Sequence, residues 1–282
     1  MKAAKLTYHR ADSTDGALTL AQRFEGAGKF MAGGQSLMPM MNLRLAFAEQ
    51  VIDISRIAAL RESKRVGGKL LVGAGITHAM IEDGKVEDPA QGYLRHVAAG
   101  IAYRSVRNRG TVGGSLVHAD PAADWPTALL ALDAVAVIHG STGNRELALA
   151  DFQLGVMETA LAEDEILLGV LLPQLSPTAR WAYQKFCHKV GEFAHSIGAV
   201  VFDPAAGVIN VVLGAAGDKP VRLPQVSARL ADGLTLAAAA DAGFLTLIEQ
   251  DIAASTSLDP SSYDFQVHKT IIKRAVMEAL KK

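Results

Sequence analysis

Two glycine-rich stretches carry the residue types best suited to hold an anion. Gly33-Gly34-Gln35-Ser36 and Thr111-Val112-Gly113-Gly114-Ser115 each set adjacent glycines beside side chains with hydroxyl or amide donors. Glycine lets the main chain approach a phosphate with no Cβ in the way, and successive N–H groups at such a turn make a concave patch of partial positive charge. Ser36 stands where a helix cap would, Gln35 or Ser36 can donate a side-chain hydrogen bond, and Thr111 adds a hydroxyl to the second loop. Lying about eighty residues apart, the two loops together can hold a ligand with two linked phosphates. Taken singly, each is also an ordinary tight turn. No G-x-G-x-x-G follows a strand and no G-x-x-x-x-G-K-[ST] occurs, so neither the doubly wound dinucleotide fold nor a P-loop is expected.

The loops need elements to hold them. Ala17, Leu18, Leu20 and Ala21 recur at helical spacing within 15–24, with Ser13 or Asp15 as cap. Residues 29–32 read as a strand running into Gly33-Gly34, with a helical stretch over 36–45 beyond it. Strands are expected at 51–54 and 70–72, and short helices at 77–82, capped by Thr77, and at 93–99. The second loop leads to a helix over 124–132, where Trp125-Pro126 places proline in the first turn. Its missing N–H does no harm there. Further strands are expected at 134–138, 146–150 and 166–172, before the sequence QLSPTAR at 174–180, the candidate domain boundary. Beyond it, 180–186, 197–202 and 208–213 read as an antiparallel meander, and helices are expected near 234–254 and 266–281.

Composition excludes several function classes. The 282 residues exceed the usual span of one compact domain, which favours two. Half the residues are hydrophobic, but charges interrupt every long apolar stretch, and none reaches the roughly 20 residues of a membrane span. A net charge of -1 argues against a broad surface for nucleic acid, so any anion must be held locally. The single cysteine, Cys187, forms no internal disulfide and cannot supply the ligands of an iron–sulfur cluster. His118, His188 and His195 lack metal-ligand spacing, and no metal site is expected. The first residues show no secretory pattern, which leaves a cytoplasmic location as the expectation.

Longer motifs carry a resemblance. AGGQSLMPMMNLRLA at 32–46 with VIDISRI at 51–57, and IAYRSVRNRGTVGGSLVHADPAADWP at 101–126, resemble the two FAD-binding segments in medium subunits of carbon monoxide dehydrogenase-like molybdenum hydroxylases. The flavin domain of xanthine dehydrogenase has the same order of features. The likeness continues through DEILLGVLLP at 164–173 and YQKFCHKVGEFA at 183–194 to the closing helix. The resemblance implies an α+β fold: a vanillyl-alcohol-oxidase-type (PCMH-type) FAD-binding domain of two subdomains over 1–175, then a smaller α+β domain over 176–282 with an antiparallel sheet and helices. FAD would be held without a covalent link, its pyrophosphate at Ala32, Gly33, Gly34, Gln35 and Ser36 and at Thr111, Gly113, Gly114 and Ser115. Ile101, Ala102, Asp124, Leu167 and Lys185 are implied as further contacts.

For several side chains a structural role stands beside the functional one. Asp124 near a pyrophosphate would be repelled as a second anion, so a hydrogen bond to a ribose or ribityl hydroxyl is the sensible ligand role, with a helix N-cap as the alternative. Asp120 and Asp53 read as structural. Lys185 would stabilise charge on a reduced flavin, or else guard a strand edge. Phe193 would shield the flavin ring or belong to the core. The run Arg104, Arg107 and Arg109 would meet phosphate or a partner, or form a solvated face. The cluster Met38, Met40 and Met41 reads as helix packing.

The resemblance further implies an electron-transfer subunit with no catalytic side chain of its own. Molybdopterin and iron–sulfur clusters would reside on a large and a small partner subunit, in a dimer of heterotrimers, with quinone, NAD or another acceptor taking the electrons. A stand-alone flavoenzyme and a nucleotide-binding assembly module without turnover are the alternatives.

Overall fold

The computed structural model describes residues 2–282. Near the N-terminus, strands Thr7–Arg10, Gln50–Asp53 and Gly28–Met31 pair in that order as a small parallel sheet. Helix Thr14–Arg23 covers one face, burying Ala17 and Leu18 in a cluster with Ile52, and Ser13 caps it by accepting from the Gly16 N–H. Parallel pairing requires crossovers, and the one from Gly28–Met31 to Gln50–Asp53 carries the first glycine loop.

A five-stranded antiparallel sheet follows, in the order Ser63–Val66, Lys69–Gly73, Glu165–Leu172, Val135–Gly140 and Gly143–Ala148. Between its second strand and the rest, the chain inserts helices His78–Glu82, Tyr93–Ala99, Arg104–Arg107, Val112–His118 and Asp124–Ala131. The last is buried along its whole length.

The expected meander is present as Arg180–Phe186, Ser196–Asp203 and Val208–Gly214, extended by the short strand Val221–Arg222. Because strand side chains alternate, the central strand feeds two cores. Ile197, Ala199 and Val201 join the main core with Trp125 and Leu129, whereas Val200 faces a second core with Phe244, Ile248, Phe265 and Ile272 from the C-terminal helices. The α+β content matches the expectation.

Local differences have local causes. The helix expected over 36–45 stops at Asn42. Arg44 turns left-handed at φ 60°, and the N–H groups of Arg44 and Leu45 fold back onto Met41 and Met40 carbonyls, a helix stop made without glycine. The strand expected at 146–150 ends at Ala148, where the short helix Leu149–Phe152 begins. The helix expected near 234–254 is broken by extended Asp241 into the turn Ala238–Ala240 and the helix Ala242–Ser255. Strands Thr7–Arg10 and Ser63–Val66 and helix Pro224–Ala231 had no clear pattern in the sequence; both strands are largely exposed and so lack an apolar face.

Candidate functional site

Strand Gly28–Met31 delivers the first glycine loop to the end of the parallel sheet, where the chain leading into the second loop crosses it. A Cβ on Gly33 would lie 2.1 Å from the Arg109 carbonyl oxygen and 2.9 Å from Gly110 Cα, so only glycine permits the crossing. Gly34 takes a left-handed φ of 70°. A Cβ on Gly114 would come within 3.7 Å of Ala32 Cβ. The first loop is thus in main-chain contact with the segment that leads into the second, and the second loop itself lies beside Ala32.

They differ in what they leave open. Among the described residues, the N–H groups of Gly33, Gly34, Gln35 and Ser36 donate to no protein acceptor. In the second loop, the N–H groups of Val112 and Gly113 donate to the carbonyls of Ile76 and Ala74 at 3.0 and 2.9 Å. The Gly114 N–H donates to Thr111 Oγ1 at 3.0 Å, and that of Ser115 to the Thr111 carbonyl. The second loop therefore does not repeat the first: Thr111 caps helix Val112–His118, and Gly113 is needed for space, since a Cβ there would sit 2.3 Å from Ala74 Cβ. Ser36 occupies a cap position without making a cap bond. Gln35 donates to the Gly33 carbonyl at 3.3 Å. Beside the first loop an open cleft of about 320 Å³ is lined by Tyr8, Met31, Met38 and Arg109 among others, which gives Met38 a place at the site edge rather than in packing alone.

A second group of expected residues gathers where helix Asp124–Ala131 meets strand Arg180–Phe186. Lys185 Nζ donates to Asp124 Oδ1 at 2.9 Å and to the Gly100 carbonyl at 2.7 Å. Tyr183 Oη donates to the same Oδ1 at 2.7 Å. Asp124 is no helix cap: Ala123 holds that position, and the Asp124 carboxylate turns instead to strand Arg180–Phe186. Burial, together with the neighbouring Asp124 charge, pushes the Tyr183 phenol well above its ordinary range, so it stays a donor. Just after Gly100, Ala102 adopts φ 42°, and Arg107 donates to the carbonyls of Ile101 and Ala102 at 2.9 and 3.1 Å.

The arginine run divides: Arg104 and Arg109 are exposed, as a solvated face would have them, and Arg107 is not. Arg107 is mostly buried and forks onto Glu82, whose carboxyl is held below the usual range by the hydrogen bonds from Arg107, and Arg104 reaches both Glu82 and Asp83. Arg109 Nε lies 3.4 Å from the Gly33 carbonyl. Leu167 is a main-core residue, 3% exposed. Phe193 is 62% exposed and so is no core residue. It sits in the loop between strands Arg180–Phe186 and Ser196–Asp203, whose Gly191 lies against the ring of Tyr103. Asp53 accepts from Tyr8 and Ser55, and Asp120 from the Ala122 N–H, both structural roles.

Sequence reasoning missed three contributors. Tyr183 stands two residues before Lys185, and strand alternation alone puts both on one face. His78, buried under the second loop, accepts from Trp125 Nε1 at 3.0 Å and packs against Gly110; burial pushes its pKa down to about 4. Glu82, which holds Arg107, left no signal in the sequence. Among the described residues, no cluster of three His, Cys, Asp or Glu could share a metal ion, and no helix is long and apolar enough to cross a membrane.

Comparison with known proteins gives this site its context. The family described as the FAD binding domain in molybdopterin dehydrogenase matches residues 4–175. The nicotine 6-hydroxylase medium subunit of Paenarthrobacter nicotinovorans is 34% identical over 99% of both chains. The carbon monoxide dehydrogenase medium chain of Hydrogenophaga pseudoflava is 33% identical over 73% of this chain and 72% of its own. Among solved structures, a carbon monoxide dehydrogenase from Hydrogenophaga pseudoflava superposes with a TM-score of 0.90 at 29% identity, covering 100% of this chain and 99% of that one. Quinoline 2-oxidoreductase from Pseudomonas putida 86 gives 0.86 at 26% identity, with the same coverage. The vanillyl-alcohol-oxidase-type architecture expected from the resemblance agrees with these neighbours. Its matched segment contains both glycine loops and Asp124, and the chain belongs to the family of FAD-binding domains of molybdopterin dehydrogenases.

Proposed function

We propose that this chain is the FAD-carrying electron-transfer subunit of a molybdenum hydroxylase. Its partners are a large subunit with the molybdopterin cofactor and a small subunit with iron–sulfur clusters, arranged as a dimer of heterotrimers in the cytoplasm. The observation that carries this reading is the crossing of the first glycine loop by the main chain entering the second, with four free N–H groups at Gly33 to Ser36. These groups suit a pyrophosphate, and the hydroxyls of Ser36 and Ser115, which make no hydrogen bond among the described residues, add side-chain donors. Residues 1–175 form the FAD-binding domain on this reading, and 176–282 the C-terminal domain that supplies Lys185.

FAD held there would supply the redox chemistry, electron transfer between the iron–sulfur partner and an external acceptor. The protein contributes placement and charge. Gly33 to Ser36 would offer their free N–H groups to the diphosphate without a covalent link, and the second loop, whose N–H groups are paired within the protein, would add the Ser115 hydroxyl. Asp124 accepts from a sugar or ribityl hydroxyl, and its pairing with Lys185 cancels the charge that would repel the phosphates. Ile101 and Ala102 present a turn fixed by Arg107, and Leu167 backs the site from the core. Exposed Phe193 is free to cover the flavin ring.

Native mass spectrometry of the complex isolated from its source tests the assembly. Three different subunits travelling with FAD and a molybdenum cofactor are expected. A chain that purifies alone and turns over a small molecule at its own flavin would overturn the electron-relay role in favour of a stand-alone flavoenzyme.

A further inference from the structure

Asp124 is 9% exposed, and its two carboxylate oxygens have different fates. Oδ1 accepts from both Tyr183 Oη and Lys185 Nζ. Oδ2 accepts from no donor among the described residues, yet it is not one of the buried atoms cut off from solvent. A carboxylate has about four acceptor positions, and those on Oδ2 are open. Two donors converging on one oxygen fix the rotation of the group. Tyr183 is the more rigid of the two anchors: its ring is locked in the main core, 6% exposed and edge-on to Tyr93 at 6.3 Å between centroids. The bond also joins two distant parts of the chain, since Asp124 opens a helix of the FAD-binding region and Tyr183 lies on the first strand of the C-terminal sheet.

We infer that Tyr183 is a positioning residue for the flavin nucleotide: by holding Asp124 Oδ1, it presents Oδ2 as the acceptor for a ligand hydroxyl. This rests on the proposal that the chain binds FAD. A neutral phenol suits the task, because it donates one directed bond and adds no charge beside a diphosphate. Lys185 then balances the carboxylate, and the division of labour is orientation by Tyr183 and charge by Lys185. Loss of either leaves Oδ1 with one donor, but only loss of Tyr183 frees the rotation without changing net charge.

The test is a double-mutant cycle on FAD affinity with Tyr183→Phe and Asp124→Ala, run beside thermal unfolding of the apo-proteins. Tyr183→Phe should weaken FAD by about ten-fold, the scale of a directed hydrogen bond to a charged group. The double variant should bind no more weakly than Asp124→Ala alone, because Tyr183 acts only through Asp124. Two fragments locate the hydroxyl. If it is ribityl, Tyr183→Phe weakens FMN and spares ADP; if it is the adenosine ribose, the reverse. Additive losses in the cycle would overturn the inference and leave Tyr183 a purely structural residue, and so would unchanged FAD affinity in Tyr183→Phe. A lysine variant guards against a folding artefact: Lys185→Met should also weaken FAD, and a Tyr183 effect that persists undiminished in Asp124→Ala again contradicts the inference. Failure of the wild-type chain to bind FAD at all would overturn the flavin proposal, and this inference with it.

Discussion

The Lys185 ammonium lies 2.9 Å from Asp124 Oδ1, across 61 residues of chain, with 14% and 11% of the two side chains exposed. A pair this well covered is costly to break from one side, because the remaining charge is left in a poorly solvated place. Lys185→Met should destabilise the apo-protein by about 3 kcal/mol in urea unfolding. The paired change Lys185→Met with Asp124→Asn, which removes both charges and keeps an acceptor for the Tyr183 hydroxyl, should restore much of that loss. No recovery in the double variant would show that Lys185 acts through the Gly100 carbonyl instead.

The two glycines of the first loop should not respond alike to alanine. At Gly33 the new Cβ meets the Arg109 carbonyl oxygen, which is main chain and cannot swing away. A loss of about 2 kcal/mol is expected, together with reduced FAD affinity as the loops part. At Gly34 the neighbours are flexible Met31 and Met38 side chains at 3.3 Å, and the cost is the left-handed φ, about 1 kcal/mol. Thermal unfolding and FAD titration of both variants would check the order, and equal effects would refute the loop-crossing explanation.

Thr111 holds the second loop by its hydroxyl. Thr111→Val removes the acceptor for the Gly114 N–H and should cost about 1 kcal/mol, the usual value of a lost cap, whereas Thr111→Ser should be nearly silent. Chemical denaturation of the two variants separates cap from bulk. A Val variant as stable as wild type would show that the hydroxyl does not hold the loop.

His78 predicts a pH dependence of stability. Its folded pKa of about 4 lies below the ordinary 6.5, so the unfolded chain binds the proton more readily and stability falls as pH drops from 6.5 toward 4. The full loss across that window is about 3 kcal/mol. His78→Asn keeps an acceptor near Trp125 Nε1 and does not titrate. Its unfolding free energy should be flatter than wild type between pH 6.5 and 4.5, and identical slopes would contradict a neutral buried His78.

Much of this site was legible because its chemistry is local in sequence. Gly33-Gly34 and Gly113-Gly114 announce close approach by composition alone, and Trp125-Pro126 marks a helix start that the structure places at Asp124. What was not legible depends on which oxygen or N–H is already taken. The second loop looks like the first on paper, yet Ile76, Ala74 and Thr111 already accept its first N–H groups, and these partners come from a distant strand end and from the cap itself. The sequence offered Asp124 as a ligand contact or a cap and gave no sign of its protein partners, which lie on a strand 59 and 61 residues away. Arg107 looked like a surface charge until Glu82 and the Ile101 carbonyl folded around it. Long-range partners of polar groups follow from the tertiary fold, and no single-sequence pattern encodes them.

The central claim is that the crossed glycine loops bind the pyrophosphate of FAD. Titrating the apo-chain with FAD and with riboflavin, which lacks the diphosphate, tests it most directly. One FAD per chain is expected, released intact on denaturation, with riboflavin binding weaker by about a hundred-fold or more, the scale of two lost charge-assisted hydrogen bonds. Equal affinity for the two, or no flavin binding by a folded chain, would contradict it.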